Sequence, residues 1–362
     1  MNFKKYDYFK IREPYYSGYR LLSTPDRYGN KPELFIATSN RSAGKSVFYD
    51  GYVIHKFIQA GEKFLFLYRN KYETSDCAGT VFSQVEKLFY PELHLSQDTG
   101  VKNVYDKLYL SEKGSDKKEL CGFVTSLRAS DAIKKYSSLL AEVSIVIFDE
   151  VFPEDDNYLP DEIQRLMSIH DSLARGGGKQ SRYLPFVLIG NLINVFNPYY
   201  ESLGIVDDLQ ITTNYMRGIG WVVEQGFNET SAKLHAESGF HQAFSGQAYT
   251  AAAQEKRYIN TSYLFIDNSI VDSGLYLVSI RHKTKIYSVR WNERAGFYYC
   301  SNTPDPSFRI LHAATETDVS DTAIYDPTSR YRKLLKDRYR QGVVRFKNME
   351  VRNAILHFII GK

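Results

Sequence analysis

The chain has 362 residues, 43% hydrophobic and 24% charged, with a net charge of +4. This length exceeds one ordinary core and leads to an expectation of two domains, while the composition excludes disordered and collagen-like classes. Met1 to Lys10 carries charges where a signal peptide needs an apolar stretch, no run is long enough to span a membrane, and three scattered cysteines exclude a disulfide framework or Cys-x-x-Cys zinc site. The expected setting is therefore cytoplasmic, without membrane.

Residues 1–33 form a Tyr-rich lead-in with turn signals at Ser23-Thr24-Pro25-Asp26 and Gly29-Asn30. Leu34 to Thr38 then reads as a short buried strand, followed at once by Ser39-Asn40-Arg41-Ser42-Ala43-Gly44-Lys45-Ser46. This has the form of a phosphate-binding loop (Walker A). Its backbone N–H groups would cradle polyphosphate, Lys45 would reach the β- and γ-phosphates, and the Ser46 hydroxyl would ligate Mg²⁺. Ser39 stands where the pattern has its first glycine. Apolar residues at helical spacing from Val47 to Ile58, stopped by Gly61, place a helix directly after the loop.

Lys63 to Tyr68 is a second core strand ending at Arg69, and a helix is expected around Ala78 to Phe89. Val104 to Leu110 and Leu120 to Leu127 read as an inserted hairpin, and Ser130 or Asp131 would cap a short helix through Leu140. Val143 to Phe148 is almost continuously apolar, as in a strand buried on both faces, and ends in Asp149-Glu150. Paired carboxylates at such a strand end suit a Walker B role, with Asp149 holding Mg²⁺ through water and Glu150 orienting the attacking water.

Leu159-Pro160-Asp161-Glu162 opens a helix whose buried stripe is expected at Ile163, Leu166, Met167, His170 and Leu173. It runs into a flexible basic loop from Arg175 to Arg182. The next strand, Phe186 to Gly190, ends at Asn191, an amide placed to sense the γ-phosphate or to cap the following turn. Trp221 to Glu224 is expected to close the sheet.

Asn228 to Gln254 reads as a linker subdomain, with helical signals at Ser231 to Phe240 and Tyr249 to Gln254; His235 and His241 read as surface residues rather than a metal pair. Beyond it, Tyr263 to Ile266, Leu275 to Ile280, Ile286 to Trp291 and Phe297 to Cys300 form strands without crossovers. From Arg330 onward ten basic residues face two acidic ones, which makes this tail the candidate nucleic-acid footprint, through Lys333, Lys336, Arg338 and Arg340. A solvated basic helix is the alternative. The expected division is residues 1–227 as a P-loop ATPase domain, 228–258 as the linker and 259–362 as a smaller α+β domain.

Three features together resemble the DNA-packaging ATPases of phi29-like tailed phages, relatives of the large terminases. They are the loop with Arg41 ahead of Gly44-Lys45-Ser46, the Ile145 to Glu150 run, and Gly190-Asn191 followed by Asn197-Pro198-Tyr199. The resemblance implies an ASCE-type α/β motor domain using ATP and Mg²⁺, and a C-terminal domain like a degenerate ribonuclease H-like nuclease. It further implies a homo-oligomeric ring, a pentamer, on the phage portal of the prohead, acting on double-stranded DNA in the host cytoplasm, with room for a structural RNA. A ring motor also calls for an arginine supplied in trans, for which Arg175 is the first choice and Arg182 the second. Two other functions remain open: a terminase-like enzyme with an active nuclease, for which Asp267 is the one acid in place, and an adaptor that binds nucleotide without turnover.

Overall fold

The computed structural model describes residues 2–360 apart from 155–156, 176–180, 192–194, 196, 207, 210–212, 244–264, 268, 271 and 309. The chain forms two compact units, Met1–Ser202 with Asp208–Asn260, and Leu203–Asp207 with Thr261–Lys362.

The first unit is built on nine strands: β1 Leu34–Ser39, β2 Lys63–Tyr68, β3 Leu93–Val101, β4 Tyr105–Glu112, β5 Lys118–Ser126, β6 Val143–Phe148, β7 Phe186–Asn191, β8 Tyr215–Arg217 and β9 Trp221–Gln225. Their spatial order is β3-β4-β5-β2-β6-β7-β1-β9-β8. Strands from β5 through β9 run parallel, and antiparallel pairs occur only toward the two edges. The continuous apolar runs follow from this placement, because Phe35 to Ala37, Val146 to Phe148 and Phe186 to Ile189 are all buried.

One face is covered by the helices Lys45–Ala60 and Cys77–Phe89. Phe48, Tyr49, Val53, Ile54 and Phe57 recur at helical spacing and join one apolar core with Val81, Phe82, Val85 and Phe89. Gly61, left-handed at φ 70°, ends the first helix.

Several elements differ from the sequence-based expectations. The hairpin is no insertion: β5 pairs parallel with β2, and β3, which alternates too weakly to stand out, forms the sheet edge. β9 lies inside the sheet beside β1, and the three-residue β8 is the opposite edge. The segment 127–140 is a chain of short turns and helices without a side-chain cap, Asp131 pairing instead with Lys134 at 3.0 Å. In the helix Glu162–Leu173 the buried face is Leu166, Ile169 and Leu173, while Met167 is 62% exposed. Residues Tyr249 to Gln254 and Tyr263 lie outside the described residues.

The second unit holds β10 Leu275–His282, β11 Lys285–Asn292, β12 Phe297–Ser301, β13 Leu311–Ala313, β14 Ala323–Ile324 and β15 Val344–Phe346, in the order β14-β13-β10-β11-β12-β15. β10, β11 and β12 form an antiparallel meander; β13 lies parallel beside β10, β14 parallel beside β13, and β15 parallel beside β12.

The basic tail divides into the helix Arg330–Arg340, β15 and the helix Met349–Ile360. Much of its charge turns inward. Arg332 lies 4.6 Å over Phe358 and Arg345 lies 4.2 Å over Phe297, while Arg352 is 1% exposed.

Gly122 on β5 is required by space. A Cβ there would sit 2.7 Å from the Phe64 carbonyl oxygen and the Phe64 ring. Gly122→Val should therefore destabilise the first unit by about 1–3 kcal/mol, read as a lower urea midpoint.

Candidate nucleotide site at the sheet's carboxyl edge

The sheet order brings three strand ends together. β7 lies between β1 and β6, so the segments leaving β1, β7 and β6 meet on one edge, where open α/β sheets bind ligands. Ser39 and Asn191 are direct partners in the β1–β7 register, and Asp149-Glu150 follows β6.

The loop after β1 turns through left-handed backbone at Ser42 (φ 59°) and Gly44 (φ 95°) before the helix starts at Lys45. Ser39 is not among the left-handed residues, so its position does not demand glycine. Its hydroxyl has a use instead. The Lys45 ammonium, 6% exposed, donates to Ser39 Oγ at 2.7 Å and to Asn191 Oδ1 at 3.2 Å. Burial draws the Lys45 pKa down to about 8.

The Ser46 hydroxyl donates to the Asp149 carboxylate, which also accepts the Glu150 N–H at 2.8 Å. Burial raises the Asp149 pKa, and those two bonds together with Lys45 oppose the rise. Glu150 is raised by burial first, then by Asp149 and Glu73. Its backbone is left-handed at φ 53°, an unfavourable conformation for a residue with a Cβ.

Arg69 holds that conformation. Its guanidinium donates to the Glu150 carbonyl at 3.2 Å and the Val151 carbonyl at 2.7 Å, and forms a buried fork with Glu162 at 3.0 Å. Glu162 in turn accepts the Tyr199 hydroxyl at 2.6 Å and the Leu159 N–H at 2.7 Å. Sequence reading saw Arg69 as a strand end and Glu162 as a helix start; nothing in their spacing signalled that they pair. The same holds for Asn228, whose N–H donates to Asn40 Oδ1 at 2.8 Å and whose carbonyl accepts Asn40 Nδ2 at 3.1 Å.

These groups surround a cleft of about 790 Å³ lined by the loop from Arg41 to Val47, by Asp149 and Glu150, and by Asn191. The donor set fits a polyphosphate with a hard divalent cation: a buried ammonium and Arg41 for anionic oxygens, and Ser46 with Asp149 as oxygen ligands. Arg41 also pairs with Glu154 across the mouth. His235 and His241 are not mere surface residues: both line this cleft, and their rings are hydrogen-bonded to one another at 3.0 Å.

Other candidate residues lie elsewhere. Arg175 is exposed at the end of its helix and does not line the cleft. Arg182 donates to the Leu173 carbonyl at 2.9 Å and so caps that helix. In the second unit Lys333, Lys336 and Arg340 are exposed on one helix face, whereas Arg338 is half-buried and donates to Gln341 at 2.7 Å. Asp267 accepts Ser269 N–H and Oγ in a local turn, and among the described residues no group of three His, Cys, Asp or Glu could hold a metal ion. No described helix is long and apolar enough to cross a membrane.

Residues 13–362 match the family described as Podovirus DNA encapsidation protein (Gp16). The chain belongs to that family. It is 25% identical over 319 residues to the DNA packaging protein of Bacillus phage PZA, covering 86% of this chain and 89% of that one. Its fold resembles the phi-28 gp11 DNA packaging motor (TM-score 0.58, 14% identity, 96% of this chain and 98% of that one). It also resembles the bacteriophage phi-29 genome packaging motor assembly (TM-score 0.56, 21% identity, 94% and 96%).

Arg69→Ala should cost about 3–5 kcal/mol in urea denaturation, because it strands Glu162 in the interior, and Arg69→Ala/Glu162→Gln should recover part of the loss.

Proposed function

We propose that this DNA-packaging protein is an ATP-hydrolysing motor that moves double-stranded DNA into a phage prohead. The observation that carries this reading is the convergence of Lys45, Ser46–Asp149, Glu150 and Asn191 on one cleft. The single strand β7 between the loop strand and the Asp149-Glu150 strand supports the ASCE class, in which a glutamate beside the metal-holding aspartate prepares water.

In this mechanism the loop backbone and Lys45 bind the polyphosphate, Lys45 exchanging its contacts with Ser39 and Asn191 for phosphate oxygens. Ser46 and Asp149 hold Mg²⁺, which when bound neutralises phosphate charge. Glu150, fixed from behind by Arg69, accepts the proton of the attacking water. Asn191 orients that water or reports the terminal phosphate.

Arg175 is the proposed trans-acting arginine, a reading supported by its exposure outside its own cleft. Subunits would then fire only as neighbours in a ring, here proposed as a pentamer on the portal in the host cytoplasm, with a structural RNA as a further partner.

For the second unit, a meander flanked by two strands parallel to its first member is the ribonuclease H-like strand order, which supports a degenerate nuclease domain. β10 carries no carboxylate, so cleavage is not proposed. Residues 1–227 are the proposed motor, 228–258 the linker and 259–362 the DNA- or portal-binding domain.

Lys45→Ala should abolish nucleotide binding. Glu150→Ala should bind ATP yet lose about 10²–10⁴ of turnover in steady-state assays; retained turnover in both would refute the site. Mixing Arg175→Ala with Glu150→Ala subunits tests action in trans, and restored activity is expected only if Arg175 crosses to a neighbour.

Replacing Lys333, Lys336 and Arg340 by Gln should weaken DNA binding and flatten its salt dependence, by roughly 0.9 in log–log slope for each lost phosphate contact. An unchanged slope would make this face a solvated surface or a portal contact instead.

A further inference from the structure

Two imidazoles face the cleft without a part in the chemistry above. Their placement follows from the helix Glu229–Glu237. Asn228 caps it, accepting the Ser231 N–H at 2.7 Å, and is itself paired with Asn40; Ser231 Oγ donates to the Arg41 carbonyl at 2.8 Å. The first turn is thus fastened to the phosphate loop. His235 follows Ser231 by four residues and shares its face, so it is delivered to the cleft wall. The next helix, Gly239–Ala243, returns His241 against it, with His235 Nδ1 and His241 Nε2 3.0 Å apart.

At that separation one facing nitrogen must donate and the other accept. The pair therefore holds no charge, or a single positive charge if a far nitrogen is protonated; a proton on both facing nitrogens would break the bond. Burial, the neighbouring His241 and Arg41 all hold His235 below its usual value, so the uncharged form of His235 is favoured before an anion enters. The charged groups facing it across the cleft are Arg41, Glu154, Lys45, Asp149, Glu150 and Glu73. Arg69 also lines the cleft but is bound to Glu162, and on its own helix Lys233 and Glu237 lie 3.9 Å apart. A polyphosphate in this cleft would reverse the local balance and favour the charged imidazole.

We propose that the His235–His241 pair is an additional phosphate contact, contributed by the segment after β9, that takes up one proton from solvent as a nucleoside triphosphate binds. The proposal rests on the nucleotide reading of the cleft. Its sign follows directly: an anion raises the imidazole pKa in the complex, so affinity grows as pH falls through that value and the extra contribution is absent above it. It also gives the linker a direct sense of cleft occupancy, separate from the loop contacts at Asn40 and Arg41.

Isothermal titration of the full chain with ATPγS and saturating Mg²⁺ near pH 7, in buffers of different ionisation enthalpy, counts the protons exchanged. Wild type should take up roughly half to one proton, and His235→Gln/His241→Gln close to none, with the ligand's own titration common to both. Between pH 8 and 6.5 wild-type affinity should improve by about three- to tenfold beyond the roughly twofold change that Lys45, with its pKa of about 8, gives to wild type and variant alike. His235→Gln and His241→Gln alone each leave one imidazole and should lower the uptake without removing it, and circular dichroism checks that all three variants fold. Equal proton uptake in wild type and the folded variants, or wild-type binding without uptake, overturns this inference alone. Failure of wild type to bind ATPγS overturns the nucleotide reading and this inference with it.

Discussion

A lysine ammonium buried at the edge of a parallel sheet sets the terms for everything around it. Lys45 is nearly inaccessible, and a cation so placed is tolerated only with partners that replace water. Those partners are Ser39 from β1 and Asn191 from β7, with the charges of Asp149 after β6 and Glu224 on β9. Each strand must therefore end where it does. A shift of one residue in the β1–β7 register would turn Asn191 away from Ser39 and take one acceptor from the ammonium. Ser39 supplies an oxygen to the buried charge where a glycine would supply none.

The parts of the fold that were legible in the sequence are those where one local signal decides. The runs Leu34 to Thr38, Val143 to Phe148 and Phe186 to Gly190 are apolar because both faces are covered, and they fall within β1, β6 and β7. Loop, Asp149-Glu150 and Asn191 could be read for the same reason, since each is the residue at the end of such a run. What was not legible depends on partners distant in sequence. β3 pairs along one side only, and its Ser96 to Gly100 stretch carries no apolar alternation to mark it. Arg69 and Glu162 are separated by ninety-three positions and meet only because β2 and β6 are neighbours.

The tail teaches a related lesson about charge. Its ten basic residues look like one electrostatic footprint, yet Arg332, Arg345 and Arg352 are spent on aromatic faces and in the interior. Arg332 also donates to the Ala314 carbonyl at 3.2 Å beyond β13. A guanidinium can cover apolar surface while its donors find carbonyls, which an ammonium does poorly. The outward charge is correspondingly smaller than the count implies, and among the described residues it is concentrated on Arg330, Lys333, Lys336 and Arg340.

The loop is held from both sides of the chain, and this bears on how a bound nucleotide could be felt elsewhere. Ahead of it, the Tyr16 N–H donates to the Ala43 carbonyl at 3.0 Å, and the Tyr16 hydroxyl reaches Glu224 on β9 at 2.5 Å. Behind it, Asn228 and Ser231 bond to Asn40 and Arg41. Glu224 is kept in the interior by Tyr16 and Tyr215, with burial raising its pKa and those hydroxyls opposing the rise. Any change in the loop backbone must therefore be absorbed by breaking a hydrogen bond or by moving the start of the helix Glu229–Glu237. The two attachments are themselves joined, because Asn228 Nδ2 donates to the Pro14 carbonyl two residues before Tyr16, so the lead-in, the loop and the helix start move as one.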